Sequence, residues 1–142
     1  MPAANDQFRQ AFRAEAREIL VDLETALLEL NEHRDDRELV GRAFRALHTI
    51  KGSGAMFGFD ELAAFTHALE NAFGEVRSGG LAVTADLVDL TLRALDHIRD
   101  FLADSPQDDS IACEALLASL RIMTAVPDRV VAQTTVSQAL PS

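Results

Sequence analysis

An all-α fold is predicted by three features of this 142-residue chain. Apolar residues recur at helical spacing along most of its length, no window shows sustained strand alternation, and polar or glycine-containing breaks separate the periodic segments. Because short connections between long amphipathic helices favour antiparallel neighbours, we expect an antiparallel up-down four-helix bundle with an additional C-terminal helix. The length fits one domain around a single core.

Polar residues bound the first two helices. Asn5 or Asp6 can cap the first helix, and a polar break after it lets Asp35 or Asp36 cap the second. Glu38, three residues after Asp35, completes a capping-box pattern. The apolar residues that the first helix is expected to direct toward the core are Phe8, Phe12, Ile19, Leu20, Leu23, Leu27 and Leu30. The stripe of the second consists of Leu39, Val40, Ala43, Phe44, Leu47 and Ile50.

The third and fourth helices also have clear limits. Asp60 can cap the third, which we expect to run to about Arg77 before the break at residues 78–80. Thr84 can cap the fourth, which extends to about Ala103. Both helices are amphipathic, so each has a face to bury in the same core.

A fifth helix and a tail complete the chain. Asp108 or Asp109 can open this helix, which ends before Pro127. Residues 1–126 are therefore interpreted as the domain. Residues 127–142, rich in Val, Thr, Gln and Ser without a helical stripe, are interpreted as a linker or a disordered tail.

The composition excludes several functions. Thirteen basic and 23 acidic residues give a net charge of −10, which opposes binding to nucleic acid or to anionic membranes and leaves proteins as the expected partners. Cys113 is the single cysteine, and neither a signal peptide nor an apolar run of membrane-spanning length is present. We expect a cytoplasmic domain that does not insert into membranes.

The second helix ends in an unusual segment around His48. On a helical wheel His48 lies at the edge of the apolar stripe, and its wheel neighbours Gly41, Gly52 and Ala55 are all small. Helical glycines cost about 1 kcal/mol each relative to alanine, so Gly52 and Gly54 need a reason. Either a partner's backbone or a bulky substrate approaches His48 closely, or the glycines fray or end the helix or allow tight packing against a neighbouring helix.

The third helix offers a partner for His48. If the second and third helices form a hairpin that turns at Gly58–Phe59, His48 and Glu70 lie equally far from the turn, and Glu70 can accept a hydrogen bond from one imidazole nitrogen. The other nitrogen would then be nucleophilic. Lys51 either steadies an anion beside the imidazole or is a solvated surface lysine, and His67 either joins Glu70 functionally or makes a surface i,i+3 hydrogen bond.

Two alternatives to a nucleophilic histidine follow from the same residues. One is a metal-binding bundle that uses His48, His67 and Glu70, although no histidine follows a glutamate by the three residues typical of carboxylate-bridged bundles. The other is a purely structural helical adaptor. The sequence carries no nucleotide-binding glycine loop and no hydrolase or metalloprotease motif.

A family resemblance favours the nucleophile. The segment His48–Phe59, read as HTIKGSGAMFGF, and the segment Thr66–Glu70, read as THALE, closely resemble the histidine-containing phosphotransfer (HPt, P1) domain of CheA-type chemotaxis histidine kinases. The likeness extends from the first helix to about Ala103, and a fifth helix is also expected in that family. The two segments at this spacing form a specific combination.

The resemblance implies a role for each site residue. His48 is the phospho-accepting histidine, Glu70 activates it, and Lys51 and His67 complete the polar network. Docking of a partner is expected over the same face of the second helix. The residues expected to take part in docking are Arg45, Thr49, Gly52 and Met56.

The implied function is that of a phosphorelay module in a two-component chemotaxis system. His48 would accept a phosphoryl group from an ATP-bound histidine-kinase domain and pass it to an aspartate of a CheY-like receiver domain. The chain has no ATP-dependent activity of its own in this interpretation. It needs no cofactor, because ATP is held by the kinase domain and Mg²⁺ by the receiver.

Overall fold

The computed structural model describes residues 2–103 and 111–124, with side chains described from Asp6 onward. These ranges contain helices and no strand, which confirms the predicted all-α class. The elements are α1 (Pro2–Glu32), α2 (Arg37–Met56), α3 (Asp60–Ser78), α4 (Ala85–Phe101) and α5 (111–124).

The first four helices form a closed ring of neighbours. Helix α1 packs against α2 and α4, and α3 packs against the same two helices. The connections at residues 33–36, 57–59 and 79–84 are short, so consecutive helices run antiparallel. The predicted up-down four-helix bundle is therefore confirmed. Helix α5 adds buried Leu120 to the core, with Leu116, Leu117 and Met123 partly buried against it.

The apolar stripes of the bundle helices meet in one core. Phe8 is an exception to the predicted stripe of α1, because its side chain is 59% exposed. It stacks on Phe57 at the end of the bundle, with ring centroids 6.4 Å apart, whereas Phe12 one turn later is buried. The largest fully buried side chains are Phe73, Leu20, Leu23, Leu27, Leu30, Leu47, Ile50, Leu62, Leu69, Leu87, Leu95 and Ile98.

The N-terminal end of α1 differs from the prediction, whereas α2 is capped by one of the two predicted residues. Helix α1 begins at Pro2, ahead of the predicted cap, where a proline has no N–H to leave unpaired. Asp36 caps α2, with Oδ1 accepting hydrogen bonds from the backbone N–H groups of Glu38 (3.0 Å) and Leu39 (3.2 Å). The predicted capping box that begins at Asp35 is wrong, because the cap stands one residue later.

The cap of α3 is also displaced by one residue. Phe59 is the N-cap and makes no side-chain capping hydrogen bond, and Asp60 is the first helical residue. Burial of the Phe59 ring against Phe12, with centroids 5.0 Å apart, holds the chain at this entry point instead of a polar cap. The Asp60 carboxylate still lies in the first turn, where it complements the helix dipole.

The helix ends on either side of the α3–α4 connection agree more closely with the boundaries predicted from the sequence. Gly79 follows α3 with φ of 90°, a left-handed conformation that favours glycine. Thr84 caps α4 as predicted, its Oγ1 accepting from the Leu87 N–H at 3.1 Å. Helix α4 ends at Phe101, slightly before the predicted Ala103. The predicted start of α5 at residues 108–109 and the tail at residues 127–142 lie outside the described residues.

The turn from α2 to α3 explains one of the two glycines near His48. Gly58 adopts φ of 85°, and the Phe59 N–H donates to the Gly54 carbonyl at 2.7 Å. Gly54 is buried where α2 meets α3, and a Cβ atom there would stand 2.6 Å from Leu62 Cδ2. Gly54 therefore permits tight packing, whereas nothing lies within 4 Å of the corresponding position at exposed Gly52.

Within the described ranges, none of the helices combines the length and the apolar character needed to cross a bilayer.

Replacement by alanine should change the free energy of unfolding in opposite directions at Gly54 and Gly52. Gly54→Ala should lower the free energy of unfolding by about 1 kcal/mol, because the buried Leu62 must move and the core has little space for it. Gly52→Ala should raise it by about 0.5–1 kcal/mol, because alanine loses less backbone entropy in a helix. Urea unfolding of both variants measures this difference. Equal effects at the two positions would contradict the assigned packing role of Gly54.

Candidate functional site

His48 lies near the middle of α2 with its side chain 64% exposed. Exposed Gly52 and Ala55 follow on the same face, so one side of the imidazole opens to solvent. On the other side the Phe44 ring, one turn earlier, stacks on the imidazole with centroids 6.3 Å apart and an interplanar angle of 13°. The imidazole is thus supported on one face and open beyond its edge.

Glu70 of α3 holds the inner edge of that imidazole. Its side chain is only 7% exposed, and Oε2 is in hydrogen-bond contact with His48 Nδ1. The other carboxylate oxygen, Oε1, accepts a hydrogen bond from Lys51 Nζ at 2.7 Å. The contact between His48 and Glu70 that the hairpin register predicted is confirmed.

The environment of Glu70 determines which imidazole nitrogen carries the proton. Burial by itself raises the pKa of the carboxyl, but the hydrogen bonds from Lys51 and His48, together with their charge interactions, outweigh it and lower the pKa. Glu70 is therefore ionised at neutral pH and only accepts hydrogen bonds. The neutral form of the His48 imidazole must then carry its proton on Nδ1, which leaves the lone pair of Nε2 available.

Lys51 lies between the bundle and the solvent. Its side chain is 27% exposed and its amino group is bound to Glu70, so it is not a freely solvated surface lysine. An ammonium group has three donors, so one hydrogen bond to Glu70 leaves others for an anion held near His48. Its predicted role in steadying such an anion fits this position.

His67 does not join the hydrogen-bonded cluster in the structure. It is exposed on α3, and it makes no hydrogen bond to any residue of the described ranges. Both oxygens of Glu70 already face partners on α2, and Glu70 itself points into the helix pair. The structure thus brings together three of the four predicted site residues, and a role for His67 stays a prediction.

The four residues predicted to dock a partner are all exposed on α2, and Met56 is 76% exposed. Their availability agrees with the predicted surface, and their role stays a prediction. These residues are Arg45, Thr49, Gly52 and Met56.

Phe44 contacts the site, although its place in the apolar stripe of the second helix predicted only a role in the core. It is half-buried and it contacts both the core and the imidazole. The signal was the spacing of four residues between Phe44 and His48, which places two rings one above the other on a helix. An apolar stripe conceals such a role because the stripe alone already explains the aromatic residue.

The metal-binding alternative finds no support in the structure. Across residues 2–103 and 111–124, no three His, Cys, Asp or Glu side chains converge in a way that could hold a metal ion. His48 and Glu70 face each other, but the exposed His67 does not complete a ligand set with them.

An antiparallel helical bundle in which an exposed histidine is bound through one nitrogen to a buried carboxylate is the arrangement that the resemblance predicted for a phosphotransfer domain. The comparison with protein families agrees. This chain belongs to the Hpt domain family, whose model matches residues 7–121.

Individual relatives give the same result. The chain is 40% identical over 93 residues to the chemotaxis protein CheA of Bacillus subtilis, and this match covers 66% of the chain and 14% of that protein. The solution structure of the histidine phosphotransfer domain of CheA has a TM-score of 0.74 at 30% identity, covering 82% of this chain and 91% of that one. The phosphorylated P1 domain of CheA3 in complex with CheY6 from R. sphaeroides has a TM-score of 0.75 at 28% identity, covering 84% and 97%.

The lowered pKa of Glu70 predicts how stability depends on pH. The Glu70 carboxyl has a pKa near 4.5 in the unfolded chain and a lower pKa in the folded chain. The ionised carboxylate therefore stabilises the folded state fully above that value, and this stabilisation is lost as the pH falls through the pKa of the folded chain. The gap in unfolding free energy between the parent and Glu70→Gln should therefore narrow as the pH falls from about 7 to about 3. Urea unfolding at a series of pH values measures the gap.

The matched control removes one cause of the shift. In a Lys51→Met background the same Glu70→Gln comparison should depend less on pH, because the amino group no longer stabilises the ionised carboxyl. A gap that is constant or that widens on acidification would contradict the assigned state of Glu70.

Proposed function

We propose that this chain is the phosphotransfer module of a CheA-type chemotaxis pathway, with His48 as the residue that carries the phosphoryl group. One observation supports the proposal above all others. The buried Glu70 fixes Nδ1 of His48 while the outer edge of the imidazole stays exposed, so the ring presents an unprotonated Nε2 to a partner.

The first step transfers the γ-phosphoryl group of ATP from a kinase domain. The Nε2 lone pair attacks phosphorus, the N–P bond forms, and the P–O bond to ADP breaks with its electron pair leaving on ADP. The ring keeps its proton on Nδ1 and becomes positively charged. The ionised Glu70 carboxylate stabilises that charge, and Lys51 is placed to neutralise part of the charge on the phosphoryl oxygens.

The second step delivers the phosphoryl group to an aspartate of a CheY-like receiver. A carboxylate oxygen attacks phosphorus, the N–P bond breaks, and its electron pair returns to Nε2. No proton has to enter or leave the imidazole in either step. Helix α2 contributes the docking surface, and Arg45 and Lys51 supply local positive charge on a chain whose net charge is −10.

In this proposal the nucleotide and the metal belong to the partners. The kinase domain would hold ATP, and the receiver would hold Mg²⁺ with its own carboxylates. The chain spans 14% of the Bacillus subtilis CheA that it matches, so the activity and the partners of a whole CheA-type protein enter this proposal only as its context. The same proposal places the chain in the cytoplasm, together with a kinase domain and a receiver that it can reach.

Phosphorylation of variants in which one histidine is replaced tests the proposal. With the ATP-binding domain of a CheA-type kinase and radiolabelled ATP, the parent chain should acquire an acid-labile label, and adding a CheY-type receiver with Mg²⁺ should remove it. His48→Gln should reduce the label to the background of the kinase alone, because the lone pair of the glutamine amide nitrogen is delocalised and cannot attack phosphorus.

His33→Gln is the matched control, since His33 lies in the exposed α1–α2 connection away from the site and should be labelled like the parent. If His48→Gln is labelled as fast as the parent, the chain does not act through this residue.

A further inference from the structure

The Phe44 ring lies nearly parallel to the imidazole of His48. Their centroids are 6.3 Å apart and their planes differ by 13°. The two residues stand four positions apart on α2, so the stack is built into one helix face. Phe44 is also half-buried against the core, whereas His48 is mostly exposed. The better anchored ring therefore supports the freer one.

A hydrogen bond alone does not fix the direction in which Nε2 points. The contact from Nδ1 to Glu70 holds one atom of the ring, and the plane can still tilt about that point because the side chain is 64% exposed. The Nε2 lone pair lies in the ring plane, so tilting the plane changes its direction. In-line attack on phosphorus depends on that direction.

Helix α3 lines one side of the Phe44 ring. A Cβ atom added at Gly74 would stand 3.5 Å from Phe44 Cε1, an ordinary van der Waals distance, so the ring edge faces α3 at Gly74. The guanidinium carbon of Arg77 lies 4.5 Å from the centroid of the same ring, within the range of a cation–π contact. Gly74 and Arg77 stand one turn apart and follow Glu70 on α3.

We propose that Phe44, packed on the core and contacted by Arg77 of α3, is a positioning residue that fixes the plane of the His48 imidazole and so aims Nε2 at the incoming phosphorus. The proposal rests on the proposed function of His48. It adds a second constraint to the hydrogen bond: Glu70 selects the nitrogen that reacts, and Phe44 sets the direction of its lone pair.

The test compares Phe44→Leu with a ring-keeping variant, Phe44→Tyr. Two readouts apply to each: the rate of phosphorylation by a CheA-type kinase domain and the proton NMR shifts of the imidazole Hδ2 and Hε1. Phe44→Leu should slow phosphorylation roughly tenfold and should move both imidazole shifts, because the nearby aromatic ring current is lost. Phe44→Tyr should restore both readouts to near the parent values.

Phe101→Leu is the matched control for lost packing. Phe101 is also half-buried and packs on Phe65, with centroids 5.8 Å apart, away from His48. It should lower stability much as Phe44→Leu does while leaving the phosphorylation rate and the imidazole shifts unchanged. Arg77→Gln, which removes the cation above the ring, should move the imidazole shifts in the same direction as Phe44→Leu by a smaller amount.

Three outcomes would overturn the proposal: a parent rate for Phe44→Leu, equal slowing by Phe101→Leu, or a Phe44→Tyr variant as slow as Phe44→Leu. Unchanged imidazole shifts in Arg77→Gln would remove Arg77 from it. Failure of the proposed function has a different signature, since the parent chain itself would then acquire no label. The imidazole shifts still test the stack in that case, because they need no phosphorylation.

Discussion

The Glu70 carboxylate is the constraint on which the site depends. An ionised carboxylate buried between two helices costs on the order of several kcal/mol unless its oxygens are satisfied, and α2 satisfies both, one from His48 and one from Lys51. The same contacts hold α2 on α3 and orient the imidazole. A change that separates these helices therefore also releases the His48 imidazole, so stability and the orientation of this side chain are linked through one group.

The rest of the bundle sets the position of that carboxylate. The turn at Gly58 and the tight approach at Gly54 fix the register of α2 on α3, so that His48 and Glu70 come level. The remaining helices bury the back of this pair and leave the His48 face of α2 in solvent. Under the proposed function, in which partners supply the nucleotide and the metal, the domain needs little beyond this. The net charge of −10 would then leave partner recognition to local complementarity over α2 more than to long-range attraction.

Much of this arrangement could be predicted from the sequence because helical spacing and turn residues report the fold directly. The hairpin register even located the contact between His48 and Glu70. Asp36 was one of the two caps predicted for α2, but the cap of α3 was missed by one residue, since adjacent residues can serve as caps and packing decides between them. The stack on Phe44 was missed for a different reason: burial explains an aromatic residue before any second role is sought.

The most direct test of the central claim is the tautomer of His48 in the unmodified chain at neutral pH. Nitrogen-15 NMR distinguishes a protonated ring nitrogen from one with a free lone pair. The structure predicts that the neutral imidazole of His48 carries its proton on Nδ1 and not on Nε2, because the ionised Glu70 only accepts hydrogen bonds. A ring that is mainly protonated on Nε2, or one that exchanges equally between the two forms, would contradict the account.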